Sequence, residues 1–349
     1  MTQMSRRHAI ITGDLLRAMP DFSFHQRGNV RWLTGLLRTP LERIGYQVST
    51  LGAHDDDFPF SDLCATAYSN PGDDIISKWA HMFDGPMSGS VRDFIGEYFQ
   101  SATIFLFEAS PTITSFINEI DGIYVNFRIH PLRFGSDLIM TMESNDRCIM
   151  NRMRNYEIPS DIIDAEIASL RARWANRPTG IHNDSLIFLG QTRHDASIIV
   201  NGEFMSLTRS ADNLNALASG RPVFHKPHPH DLDAPMITQW LKIFPESQEL
   251  QTSTYNIIAS QQKMEFVTIS SGAGYEAELL GYKVNFLNPR NWGKNSGVFS
   301  HFVSVLHEYW YPSFWKYVLL GEPVSQSPAA ACFVPDRLRR VIGMEWAKR

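Results

Sequence analysis

The chain has 349 residues, with 32 Lys and Arg against 37 Asp and Glu, for a formal net charge of −5. That length predicts about two domains whose cores need no disulfide or metal staple, and 43% apolar with 20% charged residues excludes an intrinsically disordered chain. A mildly acidic total excludes general nucleic-acid binding, which needs a basic face to displace counterions, but it leaves room for a local basic cleft.

In chain order, residues 8–14 form a short apolar run stopped by Gly13-Asp14, the pattern of a buried strand. Residues 30–44 then place Trp32, Leu33, Leu36, Leu37, Leu41 and Ile44 at helical intervals; Gly45 ends them, and residues 46–51 alternate like a strand. Strand, helix and strand of these lengths make a βαβ unit and imply a parallel sheet. The pattern recurs with a strand at 103–108, a helix near 111–120 and a strand at 122–129. A polar helix from about 160 to 174 is broken by Asn176-Arg177-Pro178-Thr179-Gly180, so the spacing predicts an N-terminal domain over 1–180 and a C-terminal one over 181–349.

The second half restarts the alternation. Strands are predicted at 185–190, 222–226, 266–270 and 283–287, with helices near 211–218, 235–244 and 275–280. The aromatic segment 299–320 is predicted to be helical and to pack back across the domains. The expected fold class is therefore α/β, two open sheets facing across a cleft. In such sheets ligands sit beyond the carboxyl ends of the strands, which directs attention to residues just after strands.

Four such segments carry chemistry. Ser270-Ser271-Gly272-Ala273-Gly274-Tyr275-Glu276-Ala277 joins a strand to a helix, and its small residues and hydroxyls suit an anion at the helix start. Its G-x-G-x-x-A string also fits a dinucleotide fingerprint, but the acidic residue expected about 20 positions later is absent. His225-Lys226-Pro227-His228-Pro229-His230-Asp231 gathers a Lys and three His on a proline-stiffened backbone, which fits a phosphate elbow, a metal site or a plain loop. Gly190-Gln191-Thr192-Arg193-His194-Asp195-Ala196-Ser197 places Asp195 beside positive charge at a strand end, as a nucleophile or base, or as a cap on the next element. Phe107-Glu108-Ala109-Ser110-Pro111 ends an apolar strand with Glu108, whose carboxyl beside Phe105 and Phe107 is suited to proton transfer, or simply starts a helix.

Two further patterns read as structural. Asp55-Asp56-Asp57 contains a D-x-D string but lies in a polar loop, the setting of a solvated acidic turn. Trp310, Tyr311, Phe314 and Trp315 have the spacing of helical core aromatics rather than of a membrane contact. Cys64, Cys148 and Cys332 are too few and too scattered for a disulfide framework and fit a reducing compartment. The basic start at 1–7 is followed by only Ala9-Ile10-Ile11, well short of a signal-peptide apolar region, and no stretch nears the roughly 18 apolar residues of a membrane span. A cytoplasmic protein is expected, with peripheral association with a membrane left open.

Taken together and in order, these segments resemble the retaining β-Kdo glycosyltransferases of bacterial capsule and lipopolysaccharide assembly (KpsC/WbbB type). The resemblance rests on the 190–197 segment, on Lys226-Pro227-His228-Pro229 and on the 270–277 segment, with Glu108-Ala109-Ser110-Pro111 and Arg128-Ile129-His130-Pro131 adding to it. It covers about residues 105–135 and 185–290. It implies a GT-B-like fold with two Rossmann-like domains, an acceptor-binding N-terminal one and a CMP-sugar-binding C-terminal one. The implied reaction moves β-Kdo from CMP-β-Kdo to a glycan or glycolipid acceptor with retention, through a glycosyl–enzyme intermediate.

By the same resemblance, Asp195 attacks the anomeric carbon and Glu108 serves the acceptor hydroxyl as base. His228, Ser270 and Ser271 hold the CMP phosphate, Glu276 contacts the ribose, and Gln191, Arg193, Lys226 and Gly272 belong to the same substrate-binding set. Arg193-His194 departs from the family's pattern by adding positive charge beside Asp195, where it would tune that carboxylate or bind a sugar carboxylate. No metal or cofactor is expected, because CMP is a monophosphate leaving group that Lys226, His228 and a helix start can neutralise. Implied partners are the donor, the acceptor and, at the inner membrane, other polysaccharide-assembly enzymes, but no nucleic acid. The His-Pro and Ser-Ser elements are also similar to those of bacterial sialyltransferases, which keeps a CMP-nonulosonate donor as an alternative. A non-catalytic nucleotide- or glycan-binding protein on the same scaffold is another, and an NAD-dependent oxidoreductase, resting on 272–277 alone, is a third.

Overall fold

Strand β1 (Arg7–Gly13) buries Ala9, Ile10 and Ile11, as a strand covered on both faces must. The computed structural model describes residues 7–68, 74–135, 137–174, 179–230, 235–288 and 301–323. Helix α1 (Arg27–Arg43) lays Val30, Leu33, Leu37 and Leu41 toward the core and leads into β2 (Tyr46–Thr50), which pairs in parallel with β1. Three short helices follow, α2 (Phe60–Tyr68), α3 (Ile75–Met82) and α4 (Gly89–Phe99). Strand β3 (Ala102–Phe107) then pairs with the other side of β1, helix α5 (Pro111–Glu119) starts on a proline, and β4 (Ile123–Ile129) continues the parallel set. Strand β5 (Met140–Ser144) turns back antiparallel to β4, and Asp146 caps α6 (Arg147–Met153) through the Cys148 and Ile149 N–H groups.

Helix α7 (Ser160–Trp174) precedes β6 (Ser185–Leu189), the fully buried central strand of a second sheet. A two-stranded hairpin of β7 (Ile199–Val200) and β8 (Glu203–Phe204) leads to α8 (Ala211–Ala218) and β9 (Val223–Lys226). Helix α9 (Pro235–Ile243), the short β10 (Gln248–Glu249), α10 (Thr254–Ala259), β11 (Met264–Thr268), α11 (Gly272–Leu279) and β12 (Lys283–Phe286) complete that half. The chain then returns to the first sheet with β13 (Val303–Val305) and α12 (Pro312–Leu320).

The first sheet has the order β13-β5-β4-β3-β1-β2 and the second β10-β9-β6-β11-β12, whose pairs are all parallel. These are two parallel-rich, Rossmann-like sheets of an α/β protein, the expected fold class. In each, the connections diverge from one adjacent pair of strands: β1 and β3 in the first sheet, β6 and β11 in the second. That divergence opens a crevice at the carboxyl ends of the pair.

Each sheet has its own core. Phe105 and Phe107 are buried under the first, while Phe188 stacks on Trp240 at 4.6 Å on one face of the second. On the other face α7 contributes Ile167 and Leu170 alongside Ile187 and Phe266. The 299–320 segment is not one helix. Residues 301–320 of it are described, and Val303, Ser304 and Val305 form a buried strand on β5, covering what would otherwise be a raw edge. The helix begins only at Pro312, and its Trp315, fully buried, donates its indole N–H to the Tyr309 carbonyl at 2.6 Å and meets Phe105 at 5.4 Å. The aromatic cluster is thus core, as its spacing predicts.

Asp57 collects the Thr50 hydroxyl and the Gly52, Ala53 and His54 N–H groups at 2.7–3.1 Å, and Asp55 pairs with Arg27, so the acidic loop is a turn built on carboxylates. Among the described residues no helix is long and apolar enough to cross a membrane, and no group of three His, Cys, Asp or Glu could hold a metal ion. Cys332, Asp231 and the basic residues 1–6 lie outside the described residues.

Candidate functional site

The two crevices face each other across a cleft of about 400 Å³. Glu108 lines its first wall directly after β3. The residue has a left-handed backbone, φ +48°, an uncommon state for a residue with a Cβ. Two hydrogen bonds hold it there: its own N–H donates to the Phe127 carbonyl at 2.8 Å, and the following Ala109 N–H donates to Asn126 Oδ1 at 3.2 Å. Asn126 is in turn oriented by donating its amide to Glu143 Oε1 at 2.8 Å. Burial pushes the Glu108 carboxyl above the usual range; the charge of Asp195 pushes the same way, while Arg17, Arg133 and Arg128 pull it down. Arg128 and Arg133 line the same wall on either side of His130-Pro131.

The opposite wall carries few charges of its own. Gln191, after β6, donates its amide to Ser197 Oγ at 2.6 Å and to Ser270 Oγ at 3.0 Å, and its carbonyl accepts the Ser270 N–H at 3.1 Å. Ser270 Oγ lies 2.8 Å from Ser197 Oγ, closing a buried ring of neutral groups between the ends of β6 and β11. On the other side of β6, Gly190 lets the chain after β9 pass close by, since a Cβ there would stand 3.0 Å from the Lys226 carbonyl and 3.1 Å from the His228 nitrogen. Asp195 lines the cleft and caps a single 3₁₀ turn, accepting the Ser197 N–H at 2.8 Å. Ser271 caps α11 through the Ala273 N–H at 3.3 Å, so the start of that helix opens on the cleft with Gly272 against Pro131. Gly274 serves packing instead: a Cβ would sit 2.8 Å from Thr268 Cγ2.

His228 lines the cleft and His130 is buried next to the lining Pro131; burial favours the uncharged imidazole in both. Burial lowers His228 to about 4 although Asp195 pulls it up, and its Nδ1 accepts the His230 N–H at 3.1 Å, which leaves Nε2 as the protonated nitrogen. Burial lowers His130 to about 3; its Nδ1 accepts the Leu132 N–H at 3.0 Å, and its ring meets Tyr275 edge-on at 5.6 Å.

No protein-family model and no curated protein matches the sequence. Among solved structures, the β-Kdo 2,7 transferase of Thermosulfurimonas dismutans KpsC aligns with a TM-score of 0.42 at 11% identity, over 91% of this chain and 100% of that one. The β-Kdo 2,4 transferase of the same organism's KpsC gives 0.39 at 12% identity, over 81% and 80%.

Of the residues singled out in the sequence, Glu108, Gln191, Asp195, His228, Ser270, Ser271, Gly272 and Glu276 all line one cleft. Two do not join them. Lys226 reaches over β10 and donates its ammonium to the Leu250 carbonyl at 3.0 Å. Arg193 occupies the outer position of the turn in which the Asp195 N–H returns to the Thr192 carbonyl, and it is exposed. Glu276 is buried and already engaged, its Oε1 accepting the Arg133 N–H at 2.5 Å and the Tyr255 hydroxyl at 3.5 Å, so it ties α11 to the opposite wall.

The sequence reading missed the cation that does face Asp195. Arg17, in the turn after β1, interacts electrostatically with Asp195, Glu108 and Asp14, and donates to the His194 carbonyl at 3.0 Å. Its position four residues past the strand, outside any motif, gave no signal. Arg128 and Arg133 had one, since they flank a quoted His-Pro pair.

Proposed function

We propose that the protein is a retaining glycosyltransferase that takes β-Kdo from CMP-β-Kdo and delivers it to a glycan or glycolipid acceptor in bacterial surface polysaccharide synthesis. One observation carries this reading: Asp195 and Glu108, from opposite sheets, share a cleft in which each feels the other's charge, beside the open start of α11. A binding module needs no such opposed pair. In the proposed division of labour, the half built on the first sheet, to which β13 and α12 return, holds the acceptor, and the half built on the second sheet, against which α7 packs, holds the donor, in place of a cut at residue 180.

In the first displacement an Asp195 carboxylate oxygen bonds to the anomeric carbon, and the bond from that carbon to the phosphate oxygen breaks, releasing CMP. The leaving phosphate would be met by the His228 Nε2–H, the Ser271 hydroxyl and the positive end of α11. His228 acts here as a neutral donor, since burial lowers its pKa to about 4 and its Nε2 carries the proton. In the second displacement the acceptor oxygen gives its proton to Glu108 and bonds to the same carbon, freeing Asp195. Two inversions give net retention. Burial lifts Glu108 toward the working pH, which suits a base. The site would act at the cytoplasmic face of the inner membrane, where glycolipid acceptors are presented.

The test is CMP release from CMP-Kdo, CMP-sialate and CMP-pseudaminate, alongside calorimetry with CMP. CMP binding with turnover of CMP-Kdo is expected, together with a Kdo adduct on Asp195 by intact-mass spectrometry of Glu108→Gln. An Asp195→Ala protein that keeps a near-normal transfer rate, or a chain with no affinity for CMP, would sink the reading.

A further inference from the structure

Arg17 is held more firmly than a surface arginine and by a chain of contacts with a single direction. Asp14, the residue that ends β1, is fully buried and accepts the Leu16 N–H at 3.1 Å and the Trp79 indole N–H at 3.1 Å. Trp79, thereby fixed on α3, presents its ring face to the Arg17 guanidinium at 4.4 Å. The Arg17 N–H returns to the Asp14 carbonyl at 3.0 Å, closing the turn. From this seat the guanidinium crosses 177 positions of sequence to the His194 carbonyl, the residue before Asp195.

We propose that Arg17 is the positioning residue of the cleft: stacked on Trp79, it grips the 194–195 turn of the second half from the first half and holds Asp195 and Glu108 opposite one another under one shared positive charge. The proposal rests on the reading of those two carboxylates as the working pair. Arg17 does not line the cleft and acts through them. An arginine suits the task because its plane stacks on Trp79 while its edge donates to the His194 carbonyl; a lysine supplies the charge but has no planar group to stack and donate at once. The groups facing Arg17 are Asp14, Glu108 and Asp195 as anions, and His25 and His194 as imidazoles. Those facing Glu108 are Arg17, Asp195, Arg133 and Arg128.

The experiment compares Arg17→Gln and Arg17→Lys with wild type in the full chain, thermal melts first establishing that each folds. Carboxyl ¹³C titration of the ligand-free protein should show the Glu108 midpoint moving up in Arg17→Gln and staying near its wild-type position in Arg17→Lys, whose charge survives. In CMP-release assays kcat should fall by about a hundredfold in both variants with KM changed less than about threefold, as expected for misplacement of a reacting group. Millimolar guanidinium added to an Arg17→Gly protein should restore part of the rate. A Glu108 midpoint unmoved by Arg17→Gln overturns the proposal, as does a rate lost only in step with CMP affinity. Because the titration needs no substrate, it decides the role of Arg17 even if no CMP-sugar is turned over, an outcome that would instead overturn the transferase reading. If Arg17→Gln does not fold, the Arg17→Lys split between kcat and KM decides the same question.

Discussion

At the crevice of the first sheet the chain gathers ions, with Asp14 and Glu108 each in the field of Arg17, whereas at the crevice of the second sheet Gln191, Ser197 and Ser270 close a ring of neutral donors and acceptors. The two ends arise from the same topology, so the difference is one of material. Buried ions are costly and shift their proton affinity, which makes them responsive to a substrate's charge. A satisfied neutral ring costs little and stays put. Asp195 sits on the neutral side by chain position but interacts with the charged side across the gap. The cleft thus pairs a responsive wall with a stationary one.

The sharpest way to break that pairing is to remove Asp195. Asp195→Ala should lower CMP release by roughly 10⁴-fold or more while leaving CMP affinity, read by calorimetry, within about threefold. Glu108→Gln comes next, slowing transfer by about 10²–10⁴-fold and abolishing the rise of rate with pH that the raised carboxyl imposes on the wild type. Its stability effect has the opposite sign. Because the folded protein holds the Glu108 proton more tightly than the unfolded chain does, the stability this group lends is complete below its unfolded pKa and lost as pH climbs through the folded one. Urea melts at pH 8 should therefore find Glu108→Gln more stable than wild type, and melts at pH 4 should find the two alike.

On the stationary wall, Ser270→Ala removes the hydroxyl that bonds Gln191 and Ser197 while leaving the Gln191–Ser197 bond and the Ser270 N–H bond in place, and should cost about 1 kcal/mol by urea denaturation. His130 probes the junction between the walls. Its pKa is depressed to about 3 by burial, so the stability it confers is present above its unfolded value and is lost as pH falls from about 6.5 toward 3. His130→Phe should flatten that acid limb in pH-dependent melts. The smallest effects belong to the two residues outside the cleft: Lys226→Met and Arg193→Ala should each leave CMP affinity within about twofold. A tenfold loss in either would mean that the cleft extends beyond these two walls.

Much of the fold was legible because the strands are short apolar runs stopped by Gly, Pro or polar residues, and their ends mark the crevices. Glu108, Gln191 and Ser270 follow such runs within two residues and Asp195 lies in the loop that opens from the same run as Gln191, so the carboxyl-end rule pointed to all four. The residues left out fail that rule in identifiable ways. Arg17 acts from a turn, through a stack on Trp79 that no local spacing encodes. Helices α2, α3 and α4 are brief and interrupted, with Gly85-Pro86 between the second and third, too short for their apolar periods to stand out. In the aromatic 299–320 segment the helix and its return across the molecule were legible from 312 onward, but the strand at Val303-Ser304-Val305 was not, because it is fixed by pairing with β5, a partner far away in sequence. Whether His228 faces the cleft as a cation or as a neutral N–H donor was not legible in the sequence, because the burial that lowers its pKa comes from the fold.

Strand β13 and helix α12 bring the chain home to the sheet where it began, so the second sheet is spliced into the first, attached through one passage between β5 and β6 and another between β12 and β13. Two covalent passages join the Glu108 wall to the Asp195 wall, so cutting either one alone leaves the other holding the two together. The same splice denies the molecule a clean severing point: a fragment ending near residue 180 would surrender Trp315 from beneath Phe105 and leave β5 as an open, sticky border.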